Sequence, residues 1–405
     1  MRKFIKKIIL NISSNIFNFL DKKVLKRYYK TINLINYYTN TGALNSFNFD
    51  YNNIMVRALN YVQSMKIGKK IGEYKFAGSC KNPNIYSSAY ACMIYSLYNK
   101  LNNFSEKEKN EWRNYFDSFQ SESDGYFYDN SLLNDNYNKL DWWGKRHLVL
   151  HLITCYNNLG FVPKYKFFFL EEYYDLNKFE ERLDSMFMQY EKKLSLDIDN
   201  FIMNIGALLQ YSRDTWKDHK AEESVKWLLE YLENKINKNT GLWTNCDIST
   251  LSNLSRTVQF AYHLYPLFLY DNYQINLKEK IIDNVLKTQN IFGGYGVSLN
   301  SSACEDIDSI YLLIKLSEKN NYKKESIRNS LQKALPWILA NMNEDGGFVF
   351  KRDEPLIYGH KEMSSIENES NMFATWFRTL SLAYLIKFLN IKNDYKINRC
   401  PGMEF

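Results

Sequence analysis

The sequence predicts an all-α protein: a single (α/α)6 toroid, a barrel of six helical hairpins, preceded by an N-terminal basic helical arm. Three observations carry this. A glycine-aromatic turn recurs at Gly72-Glu73-Tyr74, Asp124-Gly125-Tyr126-Phe127, Thr240-Gly241-Leu242-Trp243, Gly293-Gly294-Tyr295 and Asp345-Gly346-Gly347-Phe348. Counted from Gly72, Gly125, Gly241, Gly294 and Gly347, the gaps are 53, 116, 53 and 53 residues. The long gap is two steps, which places one degenerate turn near residue 183. A fixed period of this size is the signature of a stacked repeat. An unusually apolar segment follows each turn, and an amphipathic one precedes it.

The apolar segments are 87–98, 147–156, 201–212, 257–270, 308–314 and 373–386. The fourth has no charged residue and the sixth has only Arg378. Helices apolar on all sides are buried on most faces, so these form the inner ring. The preceding segments, at 106–119, 179–190, 220–238, 277–289 and 326–342, carry charge on one face and apolar residues on the other. That is the pattern of surface helices, so they form the outer sheath. The third unit keeps both helices, at about 178–192 and 199–214, despite its degenerate turn. An open solenoid is the alternative arrangement. It would leave six apolar inner helices facing water, so the ring is expected to close. No strand alternation recurs with comparable regularity.

Net charge is +7, spread over outer helices and loops as a solvated surface, so no nucleic-acid partner is expected. The six cysteines, at 80, 92, 155, 246, 304 and 400, form no CxxC pair, which points to a reducing, cytoplasmic setting. Tyr and Phe abundance follows a general Asn/Lys/Ile/Tyr bias, but that bias does not place aromatics at the turns. The expected organisation is an arm over 1–44, the toroid over 45–390 and a tail over 391–405. Residues 1–30 are basic with a short, interrupted apolar face, too short to span a bilayer and without a small-residue cleavage site. Two readings stay open for them: peripheral contact with an anionic membrane, or packing on the ring.

In a closed ring the N-terminal ends of the inner helices converge at one mouth, where helix dipoles favour ligand sites. The acidic start of the fifth inner helix, Cys304-Glu305-Asp306-Ile307-Asp308, falls there. Helix capping accounts for one or two carboxylates. Asp308 borders an apolar run, where a half-buried carboxyl has a raised pKa and can act as a general acid. The stretch Asp141-Trp142-Trp143-Gly144-Lys145-Arg146-His147 offers two aromatic pocket residues and a histidine. His147 and His151 share one helical face, as core histidines or as a metal pair. Arg378, alone in an apolar stretch near Glu369, Ser370, Asn371, Thr375 and Trp376, needs a carboxylate partner. Asp306, Asp308 and Glu305 are the candidates. Arg256, Gln259 and His263 form an inward polar stripe on the fourth inner helix, with Asn204, Gln210 and Arg213 lesser candidates on the third. No phosphate loop, dinucleotide fingerprint or serine elbow is present.

Gln289-x-x-x-Gly293-x-Tyr295 resembles the QW repeat of triterpene cyclases, with Tyr for Trp. Asp345-Gly346-Gly347-Phe348 resembles the same turn with Met342 in the Gln position, and Asp124-Gly125-Tyr126-Phe127 resembles it with Gln120 one residue out of register. Over residues 45–390 the chain thus resembles the terpenoid cyclase and protein prenyltransferase α/α-toroid superfamily, squalene-hopene cyclases among them. Asp306-Ile307-Asp308 resembles the first three positions of the DxDD motif of class II cyclases, with Ser309 in place of the last Asp. The resemblance implies an acid-initiated reaction on an isoprenoid-like substrate, with Asp308 as the acid and Asp306 and Glu305 tuning it. Trp142, Trp143, Tyr311 and Trp376 would then line the cavity, and aromatic faces would stabilise carbocations. No cofactor is expected. The prenyltransferase side of the resemblance gives a zinc alternative through Cys304, Asp308 or Asp306, and His360, although the Asp-x-Cys order of that family is absent; Mg2+ is the other ion considered. A second reading is a carbohydrate-active toroid, a lyase, hydrolase or glycan-modifying enzyme, with His147 and Arg378 binding an acidic sugar. A third is a non-catalytic scaffold. An oily pocket, a polar cleft or a filled centre distinguishes the three, with a lipid or a saccharide as the small-molecule partner of the first two.

Overall fold

Local signals start many of the helices. Asp50 Oδ1 accepts from Asn53 N at 3.0 Å, Asn84 and Asn371 cap their helices in the same way, and Ser105 with Glu108 and Ser302 with Glu305 form capping boxes. The computed structural model describes residues 22–40, 50–318, 320–391 and 393–404. The helices run α1 Lys22–Asn40, α2 Tyr51–Ser64, α3 Ile85–Leu97, α4 Glu106–Asp117, α5 Lys145–Leu159, α6 Leu176–Lys192 and α7 Ile198–Trp216. They continue α8 His219–Asn234, α9 Leu251–Tyr270, α10 Lys278–Leu286, α11 Ala303–Ser317, α12 Lys324–Ala340 and α13 Met372–Phe388. Two-residue strands pair only as Leu356–Ile357 with Ser364–Ser365 and Arg399–Cys400 with Met403–Glu404 among the described residues.

The odd-numbered helices from α3 to α13 form the inner ring. Each packs against the next, and α13 returns to α3, so the ring is closed. The even-numbered helices sheathe it. The chain is an all-α toroid of six hairpins. Every residue of α3 is buried, as is most of α5, α7, α11 and α13.

The glycine turns are the seams of the ring. Gly293 has φ 98° and a Cβ there would sit 2.2 Å from the carbonyl oxygen of Lys333 in α12. Gly346 has φ 89° and would meet the carbonyl oxygen of Arg57 in α2 at 2.2 Å. Each turn therefore needs glycine twice, for its left-handed backbone and for its contact with the next outer helix. The Gly346 contact joins the last hairpin to the first, and Arg57 Nη2 reinforces it by donating to Asn343 O at 2.7 Å. The turn glutamines serve the same seam. Gln289 Nε2 donates to Gly293 O at 2.9 Å and to Ser330 O of α12 at 2.8 Å. Gln120 Nε2 donates to Gly125 O at 3.1 Å and to Tyr165 O at 2.9 Å.

Residue 183, where the spacing placed the degenerate turn, lies inside α6; the missing turn is the glycine-free linker 193–197. The extra length falls earlier, in the connection from α5 to α6 that contains the short helix Phe168–Tyr173.

The C-terminal tail crosses the far end of the ring. Lys396 N donates to Leu97 O at 2.8 Å, Tyr395 packs on Tyr98 at 5.1 Å between ring centroids, Thr154 Oγ1 meets Cys400 Sγ at 3.6 Å, and Gly402 sits against Ala207 and Leu150. These contacts reach the C-terminal end of α3 and the middle stretches of α5 and α7, so the tail packs into the ring from that end. Arg213 also lies at that end, in a surface cleft with Asp214, Tyr270, Asp271 and Arg399.

The arm is described only from residue 22, where α1 lies along α12 and Tyr28 sits 5.8 Å from Phe292, ring to ring. Of residues 1–30, for which membrane contact or packing on the ring was expected, 1–21 lie outside the described residues and 22–30 belong to α1. Among the described residues no helix is long and apolar enough to cross a membrane.

Gly346→Ala is expected to cost about 2–4 kcal/mol in urea unfolding, strain and steric overlap together. Gly160→Ala is the control: φ is 81° but nothing lies within 4 Å of the added methyl, so only the backbone penalty of about 1–2 kcal/mol applies. Equal costs at the two sites would show that the seam contact is not the constraint.

Candidate functional site at the open mouth of the ring

Capping of α11 sets the geometry of the mouth. Glu305 accepts from Ser302 N at 2.8 Å and Ser302 Oγ accepts from Glu305 N at 3.2 Å. Glu305 is thus the reciprocal half of a helix cap. Asp306, one residue on, is fully enclosed. Its Oδ1 accepts from Tyr295 N and Ser301 Oγ, each at 2.8 Å. Its Oδ2 accepts from Trp337 Nε1 at 2.7 Å and from Arg378 Nη1. Arg378 is also fully enclosed, and its Nη2 donates to Ser301 O at 3.2 Å and Phe350 O at 3.0 Å. The partner expected for the lone arginine is Asp306. The two residues pair with each other, so neither offers a face to a substrate.

Asp308 differs from both. Its side chain is 2% exposed and makes no hydrogen bond to a described residue. Burial, reinforced by Glu305 and Asp199, pushes its pKa well above the usual carboxylate range. The neighbouring Cys304 thiol is raised too, by burial and then by Asp308.

Facing Asp308 from α7 and α9 is a second buried charge cluster. Asp199 is fully enclosed and chelated by Arg256, with Nη1 to Oδ2 at 2.8 Å and Nη2 to Oδ1 at 2.5 Å. His263 Nδ1 approaches the same carboxylate at 2.7 Å. Burial would raise the Asp199 pKa, but Arg256 and His263 outweigh it and hold the group far below its ordinary value. A third pair, Arg146 with Asp141 at 2.5 Å, lies at the start of α5. Asp197, half-buried at the N-cap of α7, has its pKa raised by burial and by Asp199 and Asp141.

Where the mouth opens is visible in the burial pattern. On α9, Arg256, Gln259, Tyr262 and His263 reach solvent, spaced 3, 3 and 1 residues apart along one face. Trp142 and Phe377 are likewise half-buried. The α3, α5 and α13 side is roofed by the segment carrying Tyr358, whose hydroxyl donates to Trp142 O at 3.0 Å and whose ring stacks on Phe373 at 4.2 Å. The side chains that reach solvent at this end of the ring thus include the stripe on α9, with Asp197 and Trp142 half-buried and Asp308 buried.

Several expected site residues sit elsewhere. Trp143 is fully buried against Tyr86, Tyr137 and Met363. Trp376 and Tyr311 are also core side chains, the latter between Tyr262 and Tyr384. His147 is buried, sits 3.3 Å from the Tyr86 hydroxyl, and is kept neutral by burial and by His151 and His263. Burial pushes His151 down to about 3. This is the core-histidine reading, and a neutral His147 with an enclosed Arg378 gives no cationic grip on an acidic sugar. Asn204 Nδ2 donates to Asp141 O at 2.8 Å, Gln210 Nε2 to Leu267 O at 2.8 Å, and Gln259 Nε2 to Ser255 Oγ at 3.3 Å. Among the described residues no three His, Cys, Asp or Glu side chains gather to hold a metal, so Cys304, Asp308 and His360 do not form a ligand set. All six cysteines are free thiols. Asp199 and Asp197 escaped the sequence reading. The available signal was Asp197-Ile198-Asp199 before an apolar helix, the same pattern as Asp306-Ile307-Asp308.

No family model and no curated protein matches the chain. Among solved structures, a GH76 α-mannanase of Bacteroides thetaiotaomicron aligns over 86% of this chain and 99% of its own, at 11% identity and TM-score 0.46. A polysaccharide lyase aligns over 83% and 98%, at 11% identity and TM-score 0.42. Neither is a terpenoid cyclase or a prenyltransferase, which corrects the cyclase resemblance, its isoprenoid reaction and the family terms that went with it. The molecule supplies the physical reason: the QW-like glutamines and glycines tie hairpin to hairpin, a task of the ring and not of a reaction. Two of the supposed carboxylate trio are a cap and an ion-pair partner, and the solvent-reaching face of α9 carries Arg256, Gln259 and His263 where a hydrocarbon pocket would be apolar.

Arg378→Met is expected to destabilise by about 3–5 kcal/mol in urea unfolding, because Asp306 is left buried without its counter-charge. Asp306→Asn combined with Arg378→Met is expected to recover part of that loss. A double variant no better than the single would show that the pair is not the coupled unit described.

Proposed function

We propose that this chain is a carbohydrate-active enzyme that cleaves a glycosidic bond at the open mouth of the ring, with Asp308 as the proton donor. The observation that carries the reading is the setting of Asp308: a buried carboxyl at the start of α11 with no hydrogen-bond partner among the described residues, whose neutral form burial favours. Glycoside cleavage needs a carboxylic acid of raised pKa to protonate the departing oxygen. The half-exposed Trp142 gives a flat apolar face for a sugar ring, and Arg256 and Gln259 give polar edges for hydroxyls. Packing of the tail into the ring from the far end supports entry from this side. The chemistry needs neither a lipid substrate nor a cofactor, and the free thiols fit a reducing compartment.

Asp308→Asn keeps the shape and removes the proton donor. Wild type is expected to release reducing ends from at least one member of a polysaccharide panel, and the variant to be about 10²–10⁴-fold slower. Activity of the wild type falls as pH rises through the folded-state pKa of Asp308, because only the protonated acid can donate. Stability moves in the same direction. The folded pKa lies above the unfolded one, so the native state binds more protons between the two values and loses stability as pH rises through that window. Asp308→Asn escapes this, so its Tm is expected to exceed that of wild type at pH 7 and to match it below about pH 4, where the unfolded carboxyl is also protonated. A variant as active as wild type, or less stable at pH 7, would remove Asp308 from this role.

A further inference from the structure

We infer that His263 is the general base of the reaction, taking the proton from the attacking water through Nε2 while Asp199 holds its Nδ1 side. The inference rests on the hydrolytic reading above and assigns the half of the reaction that Asp308 cannot perform.

Hydrolysis needs a second group to accept a proton from water, and beside Asp197, the half-buried rival at the N-cap of α7, three candidates face the mouth. Asp199 has both oxygens engaged, with Arg256 on each and His263 on Oδ2, and is fully enclosed. It reaches no water from the mouth. His147 is buried beside the Tyr86 hydroxyl. His263 is different: its side chain is 18% exposed on the solvent-reaching stripe of α9. Its Nδ1 faces Asp199 at 2.7 Å. Its Nε2 makes no hydrogen bond to a described residue and is not among the polar atoms sealed from solvent. A carboxylate accepting from Nδ1–H fixes the tautomer and leaves the Nε2 lone pair free, the arrangement that makes a neutral imidazole a base. Arg256 prevents Asp199 from turning away, because it grips both oxygens and anchors itself on Leu196 O at 2.7 Å. Asp199 and Arg256 are positioning residues; His263 would meet the water.

The step balances. His263 Nε2 takes one proton from water as its oxygen bonds to the anomeric carbon. Asp308 gives its proton to the departing glycosidic oxygen as the carbon–oxygen bond breaks. The imidazolium then releases a proton to solvent and Asp308 regains one, so one water is added overall.

The tautomer is measurable in the wild-type protein without a substrate. With ¹⁵N-histidine labelling, long-range ¹H–¹⁵N correlation resolves the five histidines, and His263→Gln identifies the signal. In the neutral imidazole, His263 is expected to carry its proton on Nδ1 alone. Protonation on Nε2 overturns the inference. The second arm uses an oligosaccharide that wild type hydrolyses. His263→Gln is expected to lower kcat by about 10²–10⁴-fold with little change in KM and an unchanged Tm. Retained turnover, or an equal loss in Asp197→Asn with none in His263→Gln, overturns the inference but leaves the hydrolytic reading standing. Absence of glycan cleavage by wild type sinks that reading and this one together, whichever tautomer His263 shows.

Discussion

Asp306 is the carboxylate on which the mouth of this ring depends. It gathers the glycine turn through Tyr295 N, the start of α11 through Ser301, the outer helix α12 through Trp337 and the last inner helix α13 through Arg378. Four pieces of chain converge on two oxygens in a fully enclosed site. Such a cluster is costly to desolvate, and its members stabilise only when all are present. Its effect is to fix the register of α11 against α13, and so to fix where the next turn of α11 points. Asp199 with Arg256 does the same between α7 and α9. Buried Asp–Arg pairs thus bind two pairs of neighbouring inner helices, on a ring whose outer seams are held by glycine.

This arrangement explains how carboxyls two residues apart differ so much. Asp306 has four donors, whereas Asp308 has none among the described residues and is buried. The same contrast separates Asp199, gripped by an arginine, from Asp197, half-buried and raised. Environments that push neighbouring titratable groups apart are how one scaffold holds both an acid and a base at one pH. On the proposed reading, the structural pairs leave Asp308 as the unpaired carboxyl of this mouth among the described residues.

Much of the fold was legible because its signals are local. A glycine turn needs only a few residues to declare itself, and an apolar or amphipathic helix declares itself within three turns. The third turn was misplaced because unit length was taken as constant, whereas the long connection before α6 shifted the linker to 193–197. Arg378 was readable for a different reason: one charge in an apolar helix requires a partner, and the acidic start of the neighbouring helix supplied it. Asp199 was missed although Asp197-Ile198-Asp199 repeats the pattern of Asp306-Ile307-Asp308, because no glycine turn marks the start of its helix. Glu305 as a cap, the roof built around Tyr358 and the tail across the far end depend on packing between distant segments. The cyclase resemblance failed at the same boundary: its turn motif reports on the seam between hairpins and not on the side chains that face the mouth.

The most direct measurement is a crystal structure of the Asp308→Asn variant soaked with a mixed oligosaccharide pool. The expected result is a sugar ring against Trp142, a glycosidic oxygen within hydrogen-bond reach of the introduced amide, and a hydroxyl or water beside His263. Saccharide bound only outside the mouth, or an apolar molecule filling the mouth against α9, would contradict the assignment of this ring as a glycan-cleaving site.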